Sequence, residues 1–573
     1  MTVSRRGFLL GTAQTMAQAI AMGTAANLIP NPSVLAAPSD SRIDVLLDEA
    51  VGTISPDLYG YLLENLGTVI YDGIWVGERS KIPNIGGIRK SVIDRLRDIK
   101  ASVIRWPGGN FADYYDWEDG IGPRARRPRR TNQWTNEMPA NAPDGPQRYD
   151  PNWFGTPELL QLCRLTGGRA FLSANVRSLT PQSFFRWVEY CNSPPETTTL
   201  ADARKGDGSR DPHGVRYWSI GNEVWAAGGS LTGAEYAFLY KRFVANVPRY
   251  GVDLSLVAAG PPPGWDMQWL HEFLDNCMNT VLPTPIHAVS LHYYATLPLN
   301  YMRHGETALD LVARDPIGTV PLDAVQFATK EWYQTLYASI RLNSLIDSYW
   351  ETIGAHDFRR KIKIAVDEWG AIYKRTPTQN PLNLTGRGVT MRDALAASLT
   401  LDILNARSSI LTVANYTGLV NQEGGILLAD GDKFCTTPVF HVFKMFAGHQ
   451  GGRALRTLFD VAAISTDETK QPEAVAHLSG SASIRDNQLT LTVTNPHATR
   501  SHDARISIRG GQATTASVST LVHSDLHAQN SFENPDNVAP TVAQLRVNGS
   551  SFNYSFPAAS VTSFTMSLNA AGS

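Results

Sequence analysis

Two short stretches decide the fold: RYWSIGNEVW at 216–225 and KIKIAVDEWG at 361–370. In each, an apolar run typical of a buried strand ends in an ionisable carboxylate, Glu223 in the first and Glu368 in the second. Burying a carboxylate is costly unless it has partners, so a carboxylate at a strand tip indicates a functional site. The rest of the chain decides what that site does.

Around these stretches the chain alternates strand-like runs with amphipathic helical patterns, as a parallel sheet wound with helices does. The strand-like runs cover 58–64, 102–109, 169–176, 216–223, 253–260, 287–294, 362–369 and 410–417. The helical patterns cover 91–100, 157–167, 234–247, 267–278 and 392–406. The sequence therefore predicts an α/β fold, a (β/α)8 TIM barrel over 59–445, with insertions at 110–156 and 295–324.

Polar side chains follow most of these strands, at the end of the barrel where active sites form. They are Glu64, Asn110, Asn175, Asn222 with Glu223, His292 with Tyr294, Glu368 and Asn415. A ring of carboxylates, amides and a phenol suits a ligand rich in hydroxyl groups. Glu223 and Glu368 are predicted to face each other across this mouth.

A second domain is indicated beyond the barrel. Short alternating strands with turn residues follow at 474–496 and 504–510, which predicts an antiparallel, jelly-roll-like β-sandwich over 446–573. The strand-like run at 42–49 precedes the barrel and is expected to pair with this sandwich. The β-domain would then be discontinuous, formed by 42–58 and 446–573.

Composition narrows the possible partners. A net charge of −2 gives no field that recruits nucleic acid or a membrane. The basic run RARRPRR at 124–130 lacks interleaved aromatic residues and is expected to form an ion-paired loop. The four cysteines are scattered, so we expect buried free thiols and neither a zinc site nor a disulfide framework. No cofactor or metal is expected.

The first 36 residues are predicted to be a signal peptide rather than part of the fold. SRRGFLLG at 4–11 pairs Arg5 and Arg6 ahead of an apolar stretch, and small residues follow at 33–37. This order is typical of a twin-arginine export signal. We expect the protein to be secreted or periplasmic.

Two carboxylates across a barrel mouth are the groups that catalyse glycoside hydrolysis. One gives a proton to the leaving oxygen, and the other attacks the sugar or activates water. Trp218 and Trp225 flank Glu223, and apolar neighbours would raise its pKa, so Glu223 is predicted to be the acid/base. Arg105 could keep Glu368 ionised, so Glu368 is predicted to be the nucleophile.

The motifs RWPGGNFADYYDWEDGIGP, YWSIGNEVW, SLHYY, VDEW and TTPVFHVFKMFAGH occur in this order, and the chain over 42–573 resembles the α-L-arabinofuranosidases of glycoside hydrolase family 51. The resemblance implies a retaining enzyme on plant polysaccharides or oligosaccharides, with the same two glutamates in the same roles. It also makes a homo-oligomer an expectation. The sugar contacts it implies are Glu64, Asn110, Asn222 and Tyr294, with Arg105 and His292 supporting the catalytic carboxylates.

The sequence departs from the family pattern at two places near the sugar. ENLGT at 64–68 replaces EHLGR, and Gly418 stands where a glutamine that reaches the sugar is expected. These changes leave the sugar specificity open. The alternatives are an endo-acting β-glucanase or xylanase and a non-catalytic carbohydrate-binding protein, although the intact pair Glu223 and Glu368 argues against the latter.

Overall fold

The computed structural model describes residues 40–569, except for 139, 263–266, 282–283, 297–321, 374–379, 381, 383–387, 423 and 466–474. The predicted signal peptide and most of the insertion at 295–324 lie outside the described residues.

Eight parallel strands close a barrel, which confirms the predicted fold class. In chain order they are Gly60–Leu62, Val103–Trp106, Arg169–Ala174, Tyr217–Ile220, Ser255–Ala258, Ala288–Tyr294, Lys363–Gly370 and Leu411–Tyr416. Each lies within one of the predicted strand-like runs or extends it by one residue. We refer to them as the first to the eighth barrel strand.

The helices pack their apolar faces against the outer faces of the barrel strands in one hydrophobic core. They are Lys90–Asp98, Thr156–Thr166, Pro181–Asn192, Thr199–Gly206, Gly233–Val244, Met267–Met278, Thr329–His356, Met391–Ala406 and Pro438–Phe446. Short 3-10 helices are Pro56–Tyr59, Asn110–Tyr114, Trp117–Gly120, Arg124–Arg126 and Gln133–Glu137. Two-stranded hairpins pair Asn84–Ile85 with Ile88–Arg89, Arg130–Thr131 with Tyr149–Asp150, Leu427–Asp430 with Lys433–Thr436, and Ala463–Ile464 with Val475–Ala476.

The barrel interior is built in layers. An apolar layer consists of Val103, Phe171, Tyr217, Val257, Ala288, Ala365 and Val413. Side chains of a strand alternate between its faces, so residues two positions further on line the same interior. At that level six of these seven strands carry polar side chains: Arg105, Ser173, Ser219, Ser290, Asp367 and Asn415. A polar floor therefore lies directly beneath the barrel mouth.

The β-domain is one nine-stranded sheet with its own hydrophobic core. Its spatial order is Thr541–Gly549, Gln512–Val522, Ser560–Asn569, Gln488–Asn495, Ser479–Arg485, Arg453–Asp460, Arg42–Thr53, His502–Arg509 and Ser551–Phe556. The strand that precedes the barrel is thus inserted between strands that follow it, antiparallel to one and parallel to the other. Only Ser550 separates the two edge strands in the chain, so the sheet curls back around its core.

The helix Met391–Ala406 lies between the barrel and the β-domain, and nearly all of its residues are buried. Ser481 Oγ and Thr492 Oγ1 donate to Asp402 Oδ1 over 2.6 and 2.8 Å. The Ser398 and Thr494 hydroxyls lie 2.6 Å apart. Neutral hydroxyl groups thus hold the helix to the sheet.

The structure also tests the predictions for the basic run at 124–130 and for the cysteines. Arg124 and Arg127 each form an ion pair with Glu158 at 2.9 Å, and Arg130 pairs with Asp119 at 2.7 Å, so the basic run is an ion-paired loop as predicted. All four cysteines are free and buried, as predicted. Among the described residues, no helix has the length and apolar character needed to cross a membrane.

Candidate active site

The two glutamates predicted to be catalytic meet at the barrel mouth. Glu223 follows the fourth barrel strand and Glu368 lies in the seventh. His292, from the sixth strand, lies between them, with Nδ1 3.0 Å from Glu223 Oε1 and 3.4 Å from Glu368 Oε2. One ligand atom from each of these three residues lies within 4.8 Å of the others. The two carboxylates are therefore close enough to act on the same bond.

An irregularity in the seventh strand brings two consecutive carboxylates to the same interior. Ser290 pairs with Ala365, but His292 pairs with Glu368, so the seventh strand has one extra residue in this interval. Such a bulge re-aims side chains that would otherwise alternate between the two faces of the strand. Both Asp367 and Glu368 consequently contact Arg105.

Arg105 is a permanent cation of the site and has no exposed surface. Its Nη1 donates to Glu368 Oε1 at 2.7 Å, its Nη2 donates to Asn222 Oδ1 at 2.7 Å, and its Nε lies 3.3 Å from Asp367 Oδ2. The planar guanidinium can hold three acceptors in fixed directions. The predicted contact between Arg105 and Glu368 is thus present, and the same side chain also orients the amide of Asn222.

Both oxygens of Glu368 are held by donors. Tyr294 donates its phenolic proton to Glu368 Oε2 at 2.7 Å, opposite the contact with Arg105. Gly109 lies close to both Glu368 and Glu64. A Cβ on Gly109 would stand only 2.9 Å from Glu368 Oε1 and 3.5 Å from Glu64 Oε2. The absence of a side chain at Gly109 leaves Glu64 and Glu368 facing one space, and Glu64 is held by the Phe111 N–H at 2.9 Å.

Glu223 has a different environment from the one predicted. Trp218 points away from the mouth and packs against Phe184 and Trp187 in the layer between strands and helices, so it supplies no apolar surface to Glu223. The described partner of Glu223 is instead His292. The side chain of Glu223 is 18% exposed against 6% for Glu368. Glu223 is the carboxylate more open to an incoming ligand.

The backbone at Glu223 is strained. Its φ of 39° lies in the left-handed region, which residues with a side chain rarely adopt and which costs about 1–3 kcal/mol. The preceding residue is fixed by Asp113, which accepts the Asn222 N–H at 3.3 Å and the Val176 N–H at 3.2 Å. Burial raises the pKa of Asp113 to about 7, although these amide donors oppose the rise.

Asn222 and Asn110 lie beside the pair. Because Arg105 donates to Asn222 Oδ1, the amide nitrogen of Asn222 points the other way, and it donates to Asn110 Oδ1 at 3.3 Å. This orientation presents an N–H donor beside Glu223. A sugar hydroxyl placed there would find a donor from Asn222 and an acceptor from Asn110.

His292 is the charged partner of the carboxylates. Burial opposes its charge, but Glu368, Asp367 and Glu223 outweigh burial and raise the pKa of His292 to about 10. Burial likewise opposes the charge of Asp367, yet Arg105 and His292 hold the pKa of that carboxyl below its usual value. The floor of the mouth is therefore a buried network of opposite charges.

Glu223, His292 and Glu368 are also three potential metal ligands by type and distance. A histidine ligates a metal only in its neutral form. The carboxylates raise the pKa of His292 to about 10, so a metal at neutral pH would have to displace a proton that hydrogen-bonds to Glu223. The cluster fits acid–base chemistry better than metal binding.

Two members of the predicted ring are not part of the mouth. Asn175 Oδ1 accepts the N–H groups of Arg177 and Ser178, so it caps its own loop. Asn415 belongs to the polar floor below the mouth, next to Gly60 of the first strand. The remaining residues predicted to be in the site are brought together there: Glu64, Arg105, Asn110, Asn222, Glu223, His292, Tyr294 and Glu368.

Sequence reasoning missed several groups that the structure adds to the site. Asp367 adjoins Glu368 in the chain and Ser290 donates to it at 2.5 Å. The Thr417 hydroxyl lies 3.2 Å from the Tyr294 hydroxyl. The period of two would have placed both Ser290 and Asp367 in the interior, but the bulge that also turns Glu368 inward left no signal in the sequence.

The barrel and its paired carboxylates define the class of protein as a barrel glycosidase, and comparison with known proteins gives the family. The chain matches the family model for the α-L-arabinofuranosidase 1 domain over 95–296 and the model for the α-L-arabinofuranosidase C-terminal domain over 367–560. An intracellular exo-α-L-arabinofuranosidase of Bacteroides ovatus is 30% identical, over 93% of this chain and 96% of that protein. The chain belongs to the α-L-arabinofuranosidases of glycoside hydrolase family 51.

Solved structures agree with this assignment. The GH51 arabinofuranosidase of Xanthomonas axonopodis pv. citri superimposes with a TM-score of 0.81 at 29% identity, over 92% of this chain and 100% of that chain. An α-L-arabinofuranosidase of Thermotoga maritima, solved as an arabinose complex, gives 0.76 at 27% identity over the same shares. Both the barrel and the β-domain are therefore common to the family.

Proposed function

We propose that the protein is a retaining exo-glycosidase that releases terminal α-L-arabinofuranosyl residues from plant polysaccharides or their oligosaccharides. The observation that carries this proposal is the close approach of Glu223 and Glu368 across the mouth, within 4.8 Å between ligand atoms. Retaining glycosidases place their carboxyl groups about 5–5.5 Å apart, whereas inverting enzymes need roughly 6.5–9.5 Å to admit a water.

The contacts divide the work between the two glutamates. Glu368, held by Arg105 and Tyr294, attacks the anomeric carbon and forms the glycosyl-enzyme ester, while Glu223 protonates the leaving oxygen as the glycosidic bond breaks. Glu223 then takes a proton from water, and the water attacks the same carbon and breaks the ester. His292 contacts both carboxylates and can stabilise the charge as it shifts between them.

The polar residues around the pair would bind the sugar. The Asn222 amide, oriented by Arg105, is placed to donate to the 2-hydroxyl, a bond that strengthens in the transition state. Glu64 and Asn110 supply acceptors on the neighbouring side of the mouth. Arg105 is buried and its two Nη atoms donate to Glu368 and Asn222, so it positions these residues rather than touching the sugar.

One assay separates this function from an endo-acting β-glucanase or xylanase. Purified protein should release p-nitrophenol from p-nitrophenyl α-L-arabinofuranoside and produce no new reducing ends from soluble β-glucan or unsubstituted xylan. A Glu368→Ala preparation serves as the control for contaminating hydrolases. Activity on the polymers alone would refute the proposal, and binding without any hydrolysis would favour a carbohydrate-binding protein.

We also propose that the chain is exported through a twin-arginine signal to the periplasm or the medium. The support is the order of Arg5 and Arg6, the apolar stretch and the small residues at 33–37. The relative from Bacteroides ovatus is described as intracellular, so location can differ within the family. Replacing Arg5 and Arg6 by Lys should leave the precursor in the cytoplasm, and unchanged export would refute the signal.

A homo-oligomer is the last part of the proposal. It rests on the family resemblance. Light scattering during gel filtration should give a mass that is a multiple of 62.8 kDa, reduced by any segment removed on export. A monomeric mass at micromolar concentration would refute it.

A further inference from the structure

The glutamine expected at 418 is absent, and the structure accounts for the space that its side chain would occupy. Gly418 follows directly after Thr417, whose hydroxyl lies 3.2 Å from the Tyr294 hydroxyl that binds Glu368. A Cβ on Gly418 would stand 2.6 Å from Gln422 Oε1 and closer still to the Gln422 Cβ. The side chain of Gln422 therefore occupies that space and excludes any side chain at 418.

The side-chain oxygen of Gln422 also lacks a described hydrogen-bond donor. The residue is 3% exposed, and its Oε1 is buried with no hydrogen-bond partner among the described residues. A buried amide oxygen without a partner destabilises a protein, and such groups call for a ligand, a water or a functional reason. Because the Gln422 side chain fills the space beside Gly418, next to Thr417 at the mouth, a bound sugar hydroxyl is one donor that could meet this need.

We propose that Gln422 binds a hydroxyl of the arabinofuranosyl ring and so determines sugar specificity in place of the residue absent at 418. Its carboxamide offers both an acceptor and two donors, which suits a hydroxyl that must give one hydrogen bond and take another. The backbone around it is anchored, because Asn421 donates to Thr68 Oγ1 at 3.1 Å and the Gly425 N–H donates to the Gln422 carbonyl at 2.7 Å. This inference rests on the arabinofuranosidase function proposed above.

The test compares Gln422→Leu with a matched control, Gln450→Leu. Gln450 is also buried, at 5% exposure, but its amide donates to the Ile99 carbonyl away from the mouth. Gln422→Leu should lower kcat/KM for p-nitrophenyl α-L-arabinofuranoside by about ten- to a hundredfold, the range for one lost hydrogen bond in a site built for it. Gln450→Leu should leave kcat/KM within about twofold.

Analogues that lack the 2-, 3- or 5-hydroxyl then separate recognition from mere packing. The analogue that lacks the hydroxyl bound by Gln422 should already react slowly with the wild-type protein. Gln422→Leu should slow the reaction of this analogue by less than about twofold further, because the hydrogen bond is already absent. An equal loss on every analogue would mean that Gln422 only supports the fold, and it would overturn the inference. Unchanged kcat/KM on the parent substrate would also overturn it.

Thermal unfolding without substrate provides an independent readout. Because Gln422→Leu removes a buried oxygen without a partner, its unfolding temperature should equal or exceed that of the wild type, whereas Gln450→Leu should unfold earlier. If Gln422→Leu unfolds at a lower temperature and is equally slow on all analogues, Gln422 supports the fold and does not bind the sugar, and the inference is overturned.

A relocated glutamine gives the last test. Gly418→Gln alone should lose activity, because the new side chain collides with Gln422, while Gly418→Gln combined with Gln422→Gly should regain at least about tenfold over Gln422→Gly. No gain would overturn the claim that the two positions serve one space. If the wild-type protein hydrolyses no arabinofuranoside at all, the proposed function itself fails, and that result is distinct from an active wild type with an unaffected Gln422→Leu variant.

Discussion

The barrel mouth and the contact between the barrel and the β-domain each bury an aspartate, and the two aspartates differ in their partners. Asp367 lies under the catalytic pair beside Arg105 and His292. Asp402 lies on the helix that faces the β-domain, and its donors among the described residues are hydroxyl groups, those of Ser481 and Thr492. Both are at most 3% exposed.

Burial acts on both groups in the same direction, so the partners decide the charge. At Asp367 burial is outweighed by Arg105 and His292, and the pKa is held below its usual value. At Asp402 burial dominates and raises the pKa to about 7, because hydroxyl donors offset little of it. At the mouth, Arg105 and His292 thus keep the buried aspartate charged, whereas the aspartate at the interdomain contact tends toward neutrality.

The largest effect is expected from removing the nucleophile at the mouth. Glu368→Ala should lower turnover of every arabinofuranoside by at least about 10⁴-fold, because no glycosyl-enzyme ester can form. Steady-state rates and a thermal unfolding curve would establish it. A loss below about tenfold would show that the charged network serves stability and not catalysis.

Glu223→Ala should be slower by about 10²–10⁴-fold on natural oligosaccharides but less affected in the first step on aryl glycosides, whose leaving groups need little protonation. Added azide should restore turnover by attacking the glycosyl-enzyme, and the product should retain the α configuration. NMR of the azide adduct checks this. An inverted adduct would mean that the roles of the two glutamates are exchanged.

Arg105→Met removes the cation from the mouth while keeping most of its volume. Asp367 and Glu368 would be left buried without it, and the free energy of unfolding should fall by about 3–5 kcal/mol. Urea titration measures the fall. Arg105→Lys is the control, since one ammonium cannot reach Asp367, Glu368 and Asn222 together and should restore stability better than activity.

At the contact with the β-domain, Asp402→Asn should change the pH dependence of stability. Burial raises the pKa of Asp402 in the folded protein to about 7, whereas its value in the unfolded chain is near 4. The stability that the neutral carboxyl contributes is therefore complete below pH 4 and is lost as pH rises through 7. The variant should match the wild type at pH 4 and exceed its free energy of unfolding by up to about 4 kcal/mol at pH 8.

Urea unfolding at several pH values tests the Asp402 prediction, with Asp460→Asn, at the exposed end of the strand Arg453–Asp460, as the control. Asp460→Asn should follow the wild-type curve at every pH. If Asp402→Asn were destabilised equally at pH 4 and pH 8, the charge of Asp402 would not determine the stability of this contact.

The smallest effect is expected from chelation. EDTA should leave kcat/KM unchanged, because the proposed reaction of Glu223 and Glu368 needs no metal, and a metal would first have to displace the proton of His292. Adding Zn²⁺ back after dialysis provides the control. Activity that is lost with EDTA and restored by Zn²⁺ would turn the cluster of Glu223, His292 and Glu368 into a metal site.

Much of the barrel could be predicted from sequence because its strands are continuous apolar runs that end in polar residues. All eight predicted runs contain a barrel strand, and the run at 42–49 lies within the strand Arg42–Thr53 of the β-domain. Four of the described helices were not predicted: Pro181–Asn192, Thr199–Gly206, Pro438–Phe446 and, the longest, Thr329–His356. Buried and exposed positions are mixed along it, and its amphipathic pattern is weaker than that of shorter helices such as Lys90–Asp98.

The site was less predictable, since it depends on which way each side chain points. Trp218 was expected near Glu223, but Tyr217 and Ser219 line the interior, and alternation turns Trp218 outward. The inward turn of Glu368 beside Asp367 required a bulge that only the pairing of strands reveals. Gln422 required the three-dimensional approach of two positions in a loop. Local sequence patterns carry no information of this kind.

The strand Arg42–Thr53 has a consequence for how the chain is made. Its hydrogen-bonded neighbours are Arg453–Asp460 and His502–Arg509, and 418 residues separate Arg42 from Asp460. At a synthesis rate of 5–20 residues per second, the strand waits roughly 20–80 s on the ribosome before its first partner exists. The barrel can form meanwhile, but the β-domain cannot close until almost the whole chain has emerged. A premature stop anywhere before that point would leave an unpaired strand edge, the feature that makes nascent chains prone to aggregate.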